Sequence, residues 1–306
     1  MRILVRAAVA AGLTLPLLLA GTASASATTA RPHRAHVVKV RGAVDTPGTF
    51  ARAQLAALPQ TTLTDQRPHA GRHALTGVLL LTLIDGAKPQ LPMAKNAALR
   101  VTVTVDGSRE VAVARGELDP RLGNHPALLV LSRDGRKVNG APELVFPGDT
   151  DRARTVHGVR RITVAVAAPA TTTPAEGAVV VASGHREVVL SAARLAALPQ
   201  RTRTVTFLSG QGQQTRVETG PTIAAVLRAA RLRTGRSTTV VASATDGYVA
   251  AVTPGETTSG GRPLLLSLVE DGAALTRPRL VVDGDLAGGR YVSDVTVLTV
   301  TGAHRR

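Results

Sequence analysis

The chain has 306 residues, no cysteine, 2% aromatic residues and a formal net charge of +16. The lack of cysteine excludes disulfide bonds, thiolate nucleophiles and thiolate metal ligands. Basic residues are scattered without an aromatic ladder that could stack bases, so we expect no nucleic acid partner and interpret the charge as solvated surface arginines.

The first 27 residues are predicted to be a Sec-type signal peptide. Arg2 and Arg6 form a positive segment, residues 7–20 form an apolar run, and Ala23–Ala27 offers small-residue cleavage sites. The run is shorter than the ~20 residues that span a membrane, and the paired arginines of the twin-Arg route are absent. We therefore expect a secreted protein with no transmembrane segment after cleavage, starting with a flexible lead-in over residues 28–36.

The first half of the mature chain alternates short predicted strands with short predicted helices. Strands are predicted over 37–41, 61–65, 99–105, 111–114, 142–146 and 159–166, and a short apolar element over 127–132. Helices are predicted over 51–58, which Pro59 ends, and over 77–86. Residues 168–177 carry two prolines and three threonines without periodicity, so they are predicted to be a linker.

The second half follows the same order of elements. Strands are predicted over 179–181, 187–190, 202–208, 237–244, 248–252, 264–269, 280–282 and 292–300, and helices over 191–198 and 221–232, with residues 303–306 as a tail. Ser191 is the predicted N-cap of its helix. Because strands outnumber helices and hairpins outnumber crossovers, the predicted class is α+β with mostly antiparallel sheet and short helices.

Ordered matches link the two halves at a nearly constant step. The pairs are Leu55–Gln60 with the identical Leu195–Gln200, 140 residues apart, Asp106-Gly107 with Asp246-Gly247, 140 apart, and Leu144–Asp149 with Leu280–Asp285, 136 apart. So long a period predicts two tandem homologous modules, 37–167 and 178–302, rather than solenoid repeats. Leu55 and Leu58 are expected to be buried where Leu195 and Leu198 are buried.

A series of short motifs occurs in the same order in both modules. The motifs are Gly42-Ala-Val44, Leu55–Pro59, Gly77–Leu81, Leu128–Gly135 and Leu144–Asp149 in the first, and Leu195–Pro199, Asp246-Gly-Tyr248, Leu264–Gly272, Arg279–Asp285 and Gly288–Val292 in the second. This order resembles the molybdopterin-dependent oxidoreductase domain of the sulfite oxidase type. The resemblance implies a sulfite-oxidase-like fold and a molybdopterin cofactor whose molybdenum is held by a cysteine after the Leu-Pro helix.

The region in which the resemblance places that cysteine is Thr61–Gln66 or Thr202–Leu208, and neither segment contains one. Threonine cannot replace a soft thiolate without changing the metal chemistry. We therefore predict a secreted, non-catalytic binding or scaffold protein with neither catalytic residues nor a metal or cofactor, although molybdopterin stays possible by the resemblance. The alternative is a functional molybdopterin-dependent oxidoreductase of the sulfite oxidase type. The ligand would be small or anionic, and the positive charge also suits a cell-surface polymer.

Five side chains are candidates for ligand contacts: Glu117, Asp119, Asn124, Tyr248 and Arg290. The first three share a polar loop whose donors could hold a hard cation or a polar ligand. The Asp-Pro and Gly-Asn pairs of this loop are equally typical of turns. Arg290 could bind an anion through its guanidinium fork, or lie on the surface at the start of a strand.

Neither module carries all of these features. The first has the polar loop but shows Ser108 where the second has Tyr248, and the second keeps only Glu256 of the loop. Any working site is therefore expected to be shared across the interface, with the loop of the first module facing Tyr248 or Arg290. His69 and His73 flank a glycine turn and are interpreted as loop histidines, because their spacing suits zinc only on a helix.

Overall fold

Strands rich in valine and threonine make up most of the fold, with a few short helices between them. This confirms the predicted class at the level of mostly β-sheet with short helices. The computed structural model describes residues 36–68, 71–258 and 262–305. The predicted signal peptide, nearly all of the lead-in, His69 and the last residue of the tail lie outside the described residues. No described helix combines the length and the apolar character needed to cross a membrane.

The N-terminal half, residues 36–167, builds two sheets. Its elements are β1 (Val37–Gly42), β2 (Gly48–Ala51), α1 (Arg52–Ala57), β3 (Thr61–Thr64), β4 (Ala74–Leu79), α2 (Leu80–Gly86), β5 (Val101–Asp106), β6 (Glu110–Ala114), α3 (Arg115–Leu118), β7 (Leu128–Arg133), β8 (Arg136–Lys137), β9 (Glu143–Val145) and β10 (Arg161–Val166). One sheet has the order β2-β1-β10-β5-β6, in which β1 and β10 are parallel. The other has the order β3-β4-β7-β8, and β9 also pairs with β7.

The C-terminal half, residues 178–305, repeats this architecture. Its elements are β11 (Val179–Ser183), β12 (Arg186–Leu190), α4 (Ala192–Ala196), β13 (Gln200–Ser209), β14 (Gly212–Pro221), α5 (Ile223–Ala229), β15 (Leu232–Arg233), β16 (Thr239–Ala244), β17 (Val249–Val252), β18 (Leu264–Glu270), β19 (Ala273–Val282), β20 (Val295–Thr301) and β21 (His304–Arg305). Its two larger sheets have the orders β12-β11-β20-β16-β17, with β11 and β20 parallel, and β13-β14-β18-β19. A two-stranded sheet, β15-β21, is added to them.

Side-chain hydrogen bonds also recur at matching positions. The matching pairs are Gln60 Nε2 to Leu55 O and Gln200 Nε2 to Leu195 O (2.9 and 3.0 Å), Thr62 to Thr76 and Thr202 to Thr219 (2.8 and 2.9 Å), and Ala74 N to Asp134 Oδ1 and Val217 N to Asp271 Oδ1 (2.8 and 2.7 Å). The halves therefore share local chemistry as well as strand order. Residues 168–177 connect them without a strand or helix.

The helix predicted over 77–86 is only partly correct, because strand β4 runs to Leu79 and α2 begins at Leu80. The corresponding strand β14 is also absent from the sequence predictions. Gly77 explains part of the difference: a Cβ there would lie 1.9 Å from the Leu129 carbonyl oxygen, so only glycine lets the strands approach. Gly220 makes the same close approach to the Leu266 carbonyl oxygen, at 2.1 Å.

Each half packs its own hydrophobic core between sheet and helices. Leu55 and Leu195 are buried, with 1% and 0% of their surface exposed. The expectation that Leu58 and Leu198 are equally buried is wrong, since both are half-buried. In the N-terminal half the cause is that α1 ends at Ala57, so Leu58 has extended backbone and leaves the helical face.

Replacing either buried leucine by alanine should destabilise the protein. We expect Leu55→Ala and Leu195→Ala each to lower the free energy of unfolding by ~2–5 kcal/mol, because each leaves a cavity in a packed core. The half-buried controls Leu58→Ala and Leu198→Ala should cost clearly less. Urea denaturation of the four variants measures the difference, and equal losses for the buried and the half-buried leucine of one half would contradict the structure.

Candidate functional site

The two halves meet through the strands that flank the matching Asp-Gly turns. Small apolar side chains of β6, β16 and β17 pack together there: Ala114, Val241, Val249 and Ala251. Backbone hydrogen bonds cross the same boundary, from Ala112 N to Arg236 O (2.8 Å) and from Leu286 N to Leu122 O (2.9 Å). The interface is thus continuous with the cores of both halves.

A cluster of six charged side chains is buried within this interface. We call it the ion cluster: Glu117, Asp149 and Arg154 from the N-terminal half, and Glu256, Asp285 and Arg290 from the C-terminal half. Each guanidinium is 1% exposed. Charges are so rarely buried without partners that their hydrogen bonds decide what the cluster can do.

The two arginines make the same bonds, atom for atom. Arg154 donates from Nε and Nη2 to Asp149 (3.0 and 2.6 Å) and from Nη1 to Glu117 (2.5 Å). Arg290 donates from Nε and Nη2 to Asp285 (2.8 and 2.5 Å) and from Nη1 to Glu256 (2.6 Å). Each guanidinium therefore holds one aspartate with two parallel bonds and one glutamate with a third, a strong charge-assisted geometry.

Each arginine also packs on a glycine of the opposite half. A Cβ at Gly116 would lie 2.5 Å from Cδ of Arg290, and a Cβ at Gly255 would lie 2.8 Å from Cδ of Arg154. The glycine that precedes each cluster glutamate therefore leaves room for the aliphatic stem of the other half's arginine. Arg154 also stacks on Phe146, with its guanidinium carbon 3.8 Å from the ring centre.

The cluster contains four carboxyl groups and two guanidinium groups, so negative charge is in surplus. Burial raises the pKa of Glu117 to about 8; Arg154 opposes this effect, and repulsion from Glu256 adds to it. Among the described residues no group bonds to Glu117 Oε2, whereas Glu256 Oε1 accepts from Thr253 N at 2.9 Å. Burial also raises the pKa of Asp285 to about 6. The cluster thus holds a proton on Glu117 near neutral pH.

Both arginines stay charged in this environment. Burial opposes the charged form of Arg154, but Glu117 and Asp149 outweigh it and raise the pKa of this guanidinium. Glu256 and Asp285 act in the same way on Arg290. Both guanidinium groups are therefore paired with carboxylates of the cluster itself.

The structure brings Glu117 and Arg290 into one cluster, on opposite sides of the interface. The alternative that Arg290 lies on the surface at the start of a strand is wrong, because Arg290 is buried at the end of the 3-10 turn Gly288–Arg290. Asp119 is buried and accepts from Arg121 N (3.0 Å) within its own turn. Asn124 is exposed and has φ of 51°, a left-handed value typical of turns.

Tyr248 bridges the halves outside the cluster. Its hydroxyl accepts from Asn96 Nδ2 (2.8 Å) and donates to Gly289 O (2.5 Å). Asn96, Gly289 and Asp119 line a groove of ≈650 Å³ between the halves, together with the exposed Leu208 and Leu286. The five candidates thus divide into two in the ion cluster, two at this groove and Asn124.

Asn124 belongs to a smaller pocket of ≈250 Å³. His125 lies in the same lining, with Nδ1 3.4 Å from Nη2 of Arg262 in the other half. Burial lowers the pKa of His125 to about 3, and the positive charge of Arg262 acts in the same direction. This imidazole is therefore neutral and gives the pocket no cationic group at physiological pH.

Four members of the ion cluster are absent from the sequence-based candidates: Asp149, Arg154, Glu256 and Asp285. A signal for them exists, since an aspartate precedes an arginine by five positions in both halves, at 149–154 and 285–290, with the same 136-residue step. The pair Gly-Glu also recurs at 116–117 and 255–256.

The segments in which a thiolate is expected do not fit a molybdenum site. In β3 and β13 the threonine hydroxyls bond across the hairpins to Thr76 and Thr219. Asp65, the carboxylate that follows β3, is held by Arg67 through bonds of 2.8 and 2.6 Å. Among the described residues, no group of three histidine or acidic side chains could hold a metal ion.

Comparison with known proteins gives little further information. No protein-family model matches the chain, and no curated protein matches it. Among solved structures, it is similar to the sulfane dehydrogenase SoxCD from Paracoccus pantotrophus, with 14% identity and a TM-score of 0.34, over 85% of this chain and 77% of that one. A similarity at this level is too low to assign a fold or an activity.

The raised pKa of Glu117 gives a testable pH dependence. The folded state keeps a proton that the unfolded state releases near the ordinary pKa of 4.5, so this stabilisation is complete below that pH and is lost as pH rises through about 8. We expect Glu117→Gln to gain stability relative to the natural protein as pH rises from 5 to 8, by up to about 1.4 kcal/mol per pH unit. Thermal unfolding of both proteins across this range measures the effect. A constant difference between them would contradict it.

Removing one cluster arginine should be strongly destabilising. Arg154→Met and Arg290→Met each leave buried carboxylates without their cation, and we expect losses of about 3–5 kcal/mol in the free energy of unfolding. Arg121→Met is the control, because its side chain is 88% exposed. Chemical denaturation would show the difference, and losses as small as that of the control would mean that the ion pairs of the cluster do not stabilise the fold.

Proposed function

We propose that this protein is an exported, non-catalytic binding or scaffold protein built from two duplicated modules. The observation that carries the proposal is the ion cluster, in which the charged groups of the interface are bonded to each other. Each arginine is bonded to carboxylates of its own half and packs on a glycine of the other half, so the cluster contributes to the contact between the halves and its guanidinium groups are occupied by its own carboxylates. We therefore assign the ion cluster a structural role rather than a catalytic one.

Duplication is supported by three independent levels of agreement. The halves share strand order, including one parallel pair in each main sheet. They share side-chain hydrogen bonds at positions a nearly constant step apart. They also share the donor and acceptor atoms of the ion cluster, which two unrelated domains would have no physical reason to reproduce.

The alternative, a molybdopterin-dependent oxidoreductase of the sulfite oxidase type, has less support. Its molybdenum would need a thiolate that this cysteine-free sequence cannot supply. The segment of the N-terminal half expected to carry it, Thr61–Gln66, includes Asp65, whose carboxylate is bonded to Arg67. Export through the Sec route is supported by the N-terminal sequence and would deliver an unfolded chain, which suits a protein that does not load a cofactor before export.

Metal and pterin analysis of protein purified from its native source tests this function. We expect molybdenum and pterin fluorescence far below one equivalent per chain, because the sequence lacks the thiolate ligand. A cysteine-containing molybdopterin enzyme from the same source, purified alongside, shows that the method preserves the cofactor. Stoichiometric molybdenum in this protein would overturn the non-catalytic assignment.

A further inference from the structure

Four guanidinium groups converge on one pocket of the N-terminal half. We call this cavity, of ≈520 Å³, the basic pocket, and the residues that matter in its lining are Arg67, Arg109, Arg133, Arg152, Glu143 and His157. The arginines come from four places: the end of β3, the β5-β6 turn, the end of β7 and the loop after β9. Among the described lining residues, Glu143 is the one carboxylate.

The base of the basic pocket is rigid. Arg67 is bonded to Asp65 and, through Nη1, to Thr155 Oγ1 (2.5 Å), and its side chain is 4% exposed. Above it, Arg133 pairs with Glu143 (3.3 Å) and keeps 33% of its side chain exposed. The exposed Arg109 donates to Ala153 O (3.4 Å), a long bond that leaves its other nitrogens available to a ligand.

The C-terminal half works as an internal control for this pocket, because equivalent positions are known from the repeated motifs. The equivalents are Arg67 and Phe207, Arg133 and Glu270, Arg152 and Gly288, and His157 and Ser293. The position of Arg109, just before β6, corresponds to the uncharged residue just before β17, Tyr248. The ion pair between Arg133 and Glu143 also has a counterpart with the charges exchanged, in which Glu270 pairs with Arg279. The same backbone thus carries the concentrated positive charge in one half only, so this charge is not a by-product of the fold.

The basic pocket adjoins a second cavity. Glu143 and His157 also line this space of ≈450 Å³, together with Arg160 and His36. Arg160 donates to Gly107 O (3.2 Å), which holds its guanidinium beside the hairpin turn that carries Arg109. The two adjoining cavities offer room for more than one anionic group.

We propose that the basic pocket binds phosphate groups of an anionic ligand. The inference rests on the proposed binding function and names its site and ligand class. Guanidinium forks form paired, charge-assisted bonds with phosphate oxygens. Arg109, Arg133 and Arg152 approach from different elements, which suits a tetrahedral group more than a planar carboxylate. The adjoining cavity with Arg160 favours a phosphate-bearing polymer over a single phosphate ion.

Isothermal titration calorimetry of the purified protein at about 150 mM salt tests the proposal. The probes are inorganic phosphate, linear polyphosphate, and polyglutamate as a carboxylate polyanion. The test variant Arg109→Gln/Arg152→Gln removes two charges from the basic pocket. The matched control, Arg201→Gln/Arg233→Gln, removes two exposed charges from the C-terminal half. Thermal unfolding confirms that both variants are folded.

We expect polyphosphate to bind more tightly than polyglutamate of equal charge. The basic-pocket variant should bind polyphosphate at least ~10-fold more weakly, while the control should stay within about twofold. If inorganic phosphate also binds, and the basic-pocket variant binds it more weakly by the same factor, the ligand is a small phosphate compound. Binding of polyphosphate alone would identify a polymer. Both results support the site.

Equal losses in the two variants would overturn the proposal, because they would show that only net charge matters. Failure of the natural protein to bind either phosphate probe, or equal affinity for polyglutamate, would overturn it as well. These results are independent of the molybdenum measurement. A protein that contains molybdenum could still bind phosphate here, and a protein without molybdenum could fail to do so.

Discussion

The fold depends on a bond between opposite charges that are shielded from water. Arg154 and Arg290 can be buried only because each meets an aspartate and a glutamate in a fixed arrangement, and those carboxylates can be buried only because the arginines are there. Such clusters add less net stability than their Coulomb attraction suggests, since all members must first lose their hydration. Their strength is directional, because each guanidinium fork holds one aspartate and one glutamate of its own half in one geometry. The stem of each arginine packs on a glycine of the other half, so the ion pairs fix the side chains through which the halves touch.

The surplus carboxylate follows from this arrangement. Two cations do not balance four acids, and burial raises the pKa of Glu117 to about 8. Its second oxygen has no bond among the described residues. The proton is thus part of the interface. The proton lies in the N-terminal half alone, so the two halves differ in the charge of their side chains although their strand orders are alike. The basic pocket is a second difference of this kind, at the surface of the N-terminal half.

The sequence predicted the fold where local patterns agree with tertiary packing. Three local patterns were each sufficient to predict their element: the alternating valines and threonines of β5, the Asp-Gly turn after it, and the proline that ends the first helix. It failed at β4 and β14, where a glycine permits close strand approach and many side chains are half-exposed, so that hydrophobic alternation is weak. It also placed Glu117 and Arg290 in one site without their partners. Burial of a charge is a tertiary property, so a single arginine letter does not distinguish a buried guanidinium from a solvated one, and only the recurrence of Asp149 and Arg154 at 285 and 290 carried that information.

The packing of each arginine on the opposite glycine has a consequence for how such a protein could arise. Arg290 packs on Gly116, and Arg154 packs on Gly255. Each half therefore contributes one arginine and one glycine, and contacts the glycine and the arginine of the other half. This reciprocity is the signature of an isologous contact, in which a surface is complementary to itself about a two-fold axis. If the halves descend from one module, that ancestor already carried everything needed to pair with a second copy of itself. The present chain would then be a symmetric dimer joined by a linker, and the joining would have allowed the two subunits to differ for the first time.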